Sequence, residues 1–241
     1  MTVMARTNVI ILCLAALVAL NGCDPGIAYD VSGTWPEGEG RTIYLTDEGG
    51  VVTDSAMVQG GAFRLGGRLP GIVKRTLVAG NHTADIILDG VAVTADVTTV
   101  QNRTSGRSYE KVTINGSIEQ KILQEGDNLA MGRGVIGLGE MILLLKYKDD
   151  QQKRDSVSIM ARQLSEQHVK NIRALLDTIT DNYAAAYIIA KYIDRGTLPE
   201  DPTHYYDRLS VRVKMSPQGQ LLKAKIDSLH GAQNDPNHNN N

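Results

Sequence analysis

Residues 53–67, with the sequence TDSAMVQGGAFRLGG, decide the fold of the first half of the chain. Two short runs, in which apolar and polar residues alternate, are separated by the pair Gly60-Gly61. Alternation with a period of two is typical of a half-buried β-strand, and glycine adopts the positive φ of a tight turn without a Cβ clash. The stretch therefore predicts two β-strands joined by a turn.

The same pattern extends on both sides, from residue 28 to residue 116. Turn sequences at residues 47–50 (DEGG), 59–62 (QGGA) and 89–90 (DG) separate the runs, and residues 103–107 (RTSGR) predict an exposed hairpin tip. The strand candidates are IAYDVSGTW, RTIYLTD, VVTDSAMV, AFRLGGRL, RTLVAG, TADIILD, VAVTADVTTV and KVTING. Short antiparallel strands of this kind predict a β-sandwich-like domain over residues 28–116, or a partly open barrel.

Beyond residue 117 the period changes from two to about 3.6, which predicts a helical region over residues 117–230. Apolar residues three and four apart make residues 154–179 an amphipathic helix, with Leu164 and Ile172 on the face that we expect to be buried. The chain is therefore expected to belong to the α+β class. Residues 231–241 contain no apolar residue larger than alanine and predict a disordered tail.

Start and stop signals divide the rest of the helical region. Residues 181–182 can cap a helix that runs from Tyr183 to about Asp194 and ends before Gly196. At residues 201–202 and 216–217, a capping Asp or Ser is followed by proline, which suits the first position of a helix. Two more short helices are expected there, the last ending near residue 230.

Residues 132–137 spell Gly-x-Gly-x-x-Gly, which binds a pyrophosphate when it follows a buried strand. The residues before it are polar and helical in character, so we do not expect a nucleotide cofactor, and no other cofactor is indicated. Each glycine inside a helix costs about 1 kcal/mol relative to alanine. Gly132, Gly134, Gly137 and Gly139 therefore predict a break or kink, followed by a buried apolar segment at residues 141–147 that is too short to cross a bilayer.

Residues 1–22 predict a lipoprotein signal peptide. Arg6 precedes an apolar run at residues 9–20, which is shorter than the roughly 20 residues of a spanning helix but suits a signal peptide. Residues 20–23, Leu-Asn-Gly-Cys, resemble the bacterial lipobox, which implies cleavage before Cys23 and acylation of its sulfur and new amino group. The alternatives are an ordinary secretory peptide and a buried helix in which Cys23 has no special role. The mature protein is expected to lie in the cell envelope, on the extracytoplasmic side, anchored by lipid to the inner or outer membrane.

Composition and single residues narrow the function classes. The formal net charge of −2 does not suggest a nucleic-acid partner, since such proteins usually carry a basic stripe. The chain has two cysteines, Cys13 in the signal and Cys23 in the lipobox, so the exported body is expected to have no free thiol. The five histidines lack the spacing of a metal site, and His168 reads as a packed, hydrogen-bonded core residue. No nucleophile and base can be assigned, so a catalytic site is not expected.

Three short sequences fall in a known order: Asp54-Ser55, a glycine followed later by Phe63, and residues 115–117, NGS. After a lipobox, this order resembles the domain of unknown function that precedes the thioredoxin module in the thiol:disulfide interchange lipoproteins of Bacteroidota. Those proteins continue with helices similar to residues 182–193 and 215–222, so the resemblance spans residues 30–229. No Cys-x-x-Cys site is present, and no catalytic residue of that module carries over.

The resemblance implies a non-enzymatic interaction or scaffold protein, for which a thioredoxin-fold lipoprotein is a candidate partner. The apolar residues 135–147 and the tyrosines between residues 183 and 206 exceed what short surface helices need, which makes Leu138, Met141, Tyr183 and Tyr187 candidate contact residues. The competing interpretation is that these side chains fill the core of the helical region. Two other hypotheses stay open: a protein that binds a small molecule or an envelope glycan through its tyrosines, and an enzyme with an unrecognised site.

The lipid anchor depends on one sulfur atom. We predict that Cys23→Ser blocks both cleavage and acylation, because the acylated group is removed. Metabolic labelling with a fatty-acid analogue checks this, with label expected on the wild-type chain and none on the variant. A wild-type chain that takes up no label would contradict the anchor.

Overall fold

The computed structural model describes residues 26–101, 106 and 108–233, which form eight β-strands followed by helices. The predicted signal peptide, Cys23, most of the loop at residues 103–107 and the tail from residue 234 lie outside the described residues. The strands are β1 (Ile27–Thr34), β2 (Thr42–Thr46), β3 (Val52–Met57), β4 (Ala62–Leu69), β5 (Val73–Ala79), β6 (His82–Leu88), β7 (Val93–Gln101) and β8 (Ser108–Asn115). The helices are α1 (Ile118–Lys146), α2 (Gln151–Thr178), α3 (Tyr183–Arg195), α4 (Pro202–Arg208), α5 (Val211–Met215) and α6 (Pro217–Gln233), and a single 3₁₀ turn covers Pro36–Gly38. The predicted α+β class is confirmed.

The strands form two four-stranded sheets, ordered β4-β1-β7-β8 and β3-β2-β5-β6. All pairs are antiparallel except β1 with β7, which run parallel with Val31 opposite Val93. The turn at residues 59–62 carries the chain from β3 in one sheet to β4 in the other, with both glycines at positive φ. The inward side chains of both sheets share one core: Val31, Trp35, Ile43, Leu45, Val58, Phe63, Leu65, Leu77, Ala79, Ile86, Leu88, Val93, Ala95, Val97 and Ile114.

Strand β6 contributes to two cores because its side chains alternate between the faces of the sheet. Ile86 and Leu88 point into the sandwich core, whereas Ile87 lies in the core of the helical region, and all three are fully buried. A strand that is apolar on both faces must be covered on both. The helices therefore pack against the outer face of β6 and are not a separate appendage.

Two consecutive residues in the first turn of α1 make the polar part of this contact. The N–H of Ile87 donates to Oε1 of Gln120 at 2.7 Å, and Nε2 of Gln120 donates to the carbonyl of Asp85 at 3.1 Å. The carboxylate of Glu119 accepts from the N–H of Ala184, at 2.9 Å, in the first turn of α3. Gln120 thus pairs with the free edge of β6, and Glu119 satisfies an N–H that the N-terminus of α3 leaves unpaired.

Helix α1 is continuous over 29 residues, so the predicted break at residues 132–139 is wrong. Two of its glycines have a packing reason. A Cβ on Gly126 would lie 2.6 Å from Cγ1 of Ile188, and one on Gly132 would lie 2.5 Å from the ring of His168. Glycine at these positions allows α1 to approach α3 and α2, and the helical hydrogen bonds continue through it.

The predicted burial of residues 141–147 is also wrong. Met141, Ile142 and Leu145 are each more than half exposed. The local apolar run indicated a core segment, but among the described elements only α2 packs along this end of α1. The segment is therefore apolar without being covered.

The capping signals at residues 201–202 and 216–217 are confirmed, whereas Asn182 precedes α3 without a side-chain capping hydrogen bond. Asp201 accepts from the N–H of Thr203 at the start of α4, and Ser216 accepts from the N–H of Gly219 at the start of α6, which reaches residue 233. Gly196 ends α3 with a φ of +58°, in the left-handed region. Helix α5, capped by Ser210, was not expected from the sequence.

The amphipathic helix predicted at residues 154–179 is present as α2, but its apolar face is only partly covered. Ile172 is 1% exposed in the helical core, whereas Leu164 is 51% exposed, so the expected burial of Leu164 is wrong. Periodicity identifies the side chains that share a face. It does not determine how far along the helix another element covers that face.

These two residues make a matched pair for a stability measurement. We predict that Ile172→Ala lowers the free energy of unfolding by about 2–5 kcal/mol, because it leaves a cavity in a packed core. Leu164→Ala should change it by no more than about 0.5 kcal/mol in dilute protein, since that side chain is half in solvent. Urea denaturation of both variants checks this, and equal losses would contradict the observed packing.

Candidate interaction surface

Helices α1 and α2 form an antiparallel hairpin that projects beyond the rest of the protein. Its turn is closed by Asp150, whose carboxylate accepts from the N–H of Lys153 at 3.1 Å and caps α2. Hydrogen bonds from Lys153 hold the pKa of Asp150 below its usual value. The ammonium groups of Lys146 and Lys153 both lie 5.4 Å from the ring centre of Tyr147. The capping role of Asp150 was not predicted from the sequence.

The base of the hairpin is buried, whereas its outer half is not. On α1, Leu123, Gly126 and Ala130 are buried against the other helices, and no residue from 131 to 146 is buried. On the outer part of α2 only Val157 and Ala161 are buried, where they face α1. The two helices therefore cover each other on one side and leave their remaining surface open.

This open surface is apolar. Beyond the first turns of α1, nine large apolar side chains of the hairpin are between 46% and 69% exposed. They are Met131, Val135, Leu138, Met141, Ile142 and Leu145 of α1, with Ile159, Met160 and Leu164 of α2. We call this set the hairpin face. Large exposed apolar patches are rare on monomeric soluble proteins and usually mark contact sites.

The four predicted contact residues do not form one site. Leu138 and Met141 belong to the hairpin face and are 55% and 53% exposed. Tyr183 and Tyr187 lie on α3 and are partly buried. The hydroxyl of Tyr187 accepts from the N–H of Lys74 at 2.9 Å, which ties α3 to β5, and burial raises the pKa of that hydroxyl. Both tyrosines therefore belong to the packed helical region at the base of the hairpin.

Sequence reasoning missed four residues of α1 and three of α2 in the hairpin face. The signal that could have found them is the three- and four-residue spacing of apolar side chains through the glycine-rich stretch, which indicates a continuous helix. The glycines themselves obscured this spacing. On α2 the spacing was recognised, but its apolar side chains were assigned to the core.

A charged groove of about 490 Å³ lies between the β-sandwich and helices α3 and α6. Each of its three lysines is paired with a carboxylate. Lys74 lies 3.3 Å from Asp85, Lys191 lies 2.5 Å from Asp127, and Lys225 lies 2.5 Å from Asp194. These residues come from five distant segments, so no sequence pattern indicates the groove. Because the charges are already balanced, the groove has no marked preference for anions.

His168 lies at the junction of α1 and α2, beside a smaller cavity of about 260 Å³. It is buried, as predicted, but its Nε2 has no hydrogen-bond partner among the described residues. Burial, and then the nearby guanidinium of Arg133, lowers the pKa of the imidazole, which therefore stays neutral near pH 7. Within the described residues, no group of three or more His, Cys, Asp and Glu side chains is arranged to hold a metal ion.

Comparison with known families identifies part of this architecture. Residues 29–123 match the family described as domain of unknown function DUF4369. This part of the chain is a DUF4369 domain. No curated protein and no solved structure gives a significant match.

The DUF4369 domain comprises nearly all of the β-sandwich and the first turns of α1, including Glu119 and Gln120. The match ends at residue 123, before any residue of the hairpin face. The domain therefore carries the contacts that position α1, whereas the exposed part of the hairpin lies beyond the match.

Two glycines of α1 test how the helix is seated. We predict that Gly126→Ala is less stable than Gly137→Ala by about 1–3 kcal/mol, because an added methyl group overpacks against Ile188 at residue 126 and meets open space at residue 137. Both changes gain the same helix propensity, so it cancels in the comparison. Urea denaturation measures the difference, and a less stable Gly137→Ala would contradict the packing.

Proposed function

We propose that the protein is a non-enzymatic interaction module that is anchored by lipid on the extracytoplasmic side of a membrane and contacts a protein partner through the hairpin face. The exposed apolar side chains of this face carry the proposal. Leaving them in water is unfavourable by roughly 25 cal/mol for each Å² of apolar surface. A partner that covers the face removes this penalty.

The position of the hairpin supports this role. The base of α1 is fixed by the β-sandwich and α3, so the outer half is presented on a rigid support. Binding then requires little ordering of the chain, which keeps the entropic cost of association low. Helices that already exist can dock without first being nucleated.

The sequence supports the remaining parts of the proposal. Residues 20–23 resemble a lipobox, which favours a lipid anchor and a location in the cell envelope. The only cysteines are Cys13 and Cys23, so a cleaved and acylated chain has no thiolate for disulfide exchange. The DUF4369 domain and the resemblance to thiol:disulfide interchange lipoproteins make a thioredoxin-fold lipoprotein a reasonable partner.

A second candidate function is binding of a small molecule or an envelope glycan in the charged groove. Its volume of about 490 Å³ suits a small ligand, and Tyr187 and Lys191 line it. The paired charges weaken this candidate, because a polar ligand must compete with existing ion pairs. We therefore rank it below the interaction module.

Site-specific photo-cross-linking in intact cells tests the proposed function. A benzophenone side chain is placed at Leu138 on the hairpin face, and in a control at Gln163, which is exposed on α2 outside the face. We expect light-dependent protein adducts at residue 138 and few at residue 163, because only the former is covered by a partner. Adducts that are absent, or equally abundant at the two positions, would contradict the proposal.

A further inference from the structure

The exposed side chains of α1 follow the spacing of a coiled coil. Met131, Val135, Leu138, Ile142 and Leu145 are separated alternately by four and three residues, and each is at least 53% exposed. Such spacing places side chains on a single seam, at positions a and d of a heptad abcdefg. Here Val135 and Ile142 fall at a, and Leu138 and Leu145 fall at d. Helix α1 thus carries a complete seam on which no other described residue of the chain is closely packed.

The residue types on this seam favour two parallel strands. β-Branched residues at a with leucine at d are the combination that selects a parallel dimer. The preceding a position is Asn128, which is also exposed. A single asparagine at a fixes the register and the two-stranded state at some loss of stability. A seam of this composition is complementary to itself.

The neighbours of the seam allow close approach. Gly134 and Gly139 fall at g and e, and a Cβ added at either would meet nothing within 4 Å. Packing within one chain therefore gives no reason for these glycines. In a parallel pair, position g of one helix faces e of the other, so Gly134 of one copy lies opposite Gly139 of the other and the backbones can come near.

Helix α2 helps to form a depression in which side chains of the partner can pack. A depression of about 210 Å³ lies between the helices, lined on the α1 side by Val135 and Leu143 and on the α2 side by Met160 and Leu164. It opens beside the seam, because Val135 belongs to both. Two hairpins that meet on their seams can therefore continue the contact into a four-helix arrangement.

We propose that the occupant of the hairpin face is a second copy of this chain, held by parallel packing of the two α1 seams about a two-fold axis. This inference rests on the proposed function, since it names the partner of the same surface. The seam from residue 131 to residue 145 is about 21 Å long at 1.5 Å per residue. We expect a contact of that length to bury a small area, so the association should be weak in dilute solution.

A lipid bilayer suits this surface less well. By length and apolar composition α1 could cross a membrane, and only 6% of its most apolar 18-residue stretch is buried. However, α2 lies along α1 and would have to enter with it, together with the ion pair of Arg162 and Glu166. Arg133 and Glu140 also lie within the apolar part of α1. Charged side chains inside a membrane are costly, whereas in a dimer of hairpins they stay in water.

Disulfide trapping in intact cells tests the inference on the full chain. Leu138 lies at the centre of the seam, so Leu138→Cys places two thiols close together across the two-fold axis. Gln163→Cys, on the exposed side of α2, is the matched control. The wild-type chain is the second control, because it shows any covalent dimer that Cys13 or Cys23 forms. After mild oxidation we expect several-fold more covalent homodimer from Leu138→Cys than from either control. Adding Val135→Glu should abolish the excess, because two carboxylates would then face each other on the seam.

The outcomes separate this inference from the proposed function. Homodimer that is absent from Leu138→Cys, or equal to that from Gln163→Cys, overturns the second copy as occupant. If the photo-cross-linker at residue 138 still captures other proteins, the interaction module stands with a different partner. If it captures only lipid, both the inference and the proposed function are wrong. Met131→Cys fixes the orientation, since it traps with itself only in a parallel pair.

Discussion

The amide of Gln120 and the carboxylate of Glu119 join the two halves of the protein, and the direction of every later helix depends on them. Gln120 occupies the free edge of β6 with two hydrogen bonds, and Glu119 satisfies an N–H at the start of α3. Both side chains are buried, at 0% and 7% exposure. Buried polar groups that lose a partner cost about 1–3 kcal/mol each. These contacts therefore favour one placement of α1 over all others.

Once the first turn of α1 is fixed, the length of this helix determines how far the hairpin projects. A helix of 29 residues is about 43 Å long, longer than the bundle of shorter helices beside it. The excess must project, and α2 returns along it. The DUF4369 domain thus acts as a base, and the hairpin carries an apolar seam into a region where none of the other described elements covers it. We propose that the protein contacts its partner through this uncovered seam.

The sequence predicted elements whose causes are local and missed those that depend on distant contacts. Alternation of apolar and polar residues, together with glycine turns, predicted all eight strands. The capping residues Asp201 and Ser216 predicted the starts of two helices. The glycines of α1 led to the wrong prediction of a helix break. Helix propensity is a weak preference that packing overrides, as it does where Gly126 approaches Ile188. Burial of Leu164 was wrong because periodicity shows which residues share a face, but not whether another element reaches it. The lysines of the groove come from separate segments and leave no pattern in the sequence.

Amide hydrogen exchange on wild-type protein and on Gln120→Ala tests most directly whether the edge of β6 holds the helices in place. The variant removes both hydrogen bonds to β6 and leaves the N–H of Ile87 without a partner. We predict that exchange at Ile87 and in the first turn of α3 becomes several-fold faster, while β1 and β7 in the other sheet keep their protection. Unchanged protection at Ile87 would show that other contacts hold the helical region, and would contradict the account.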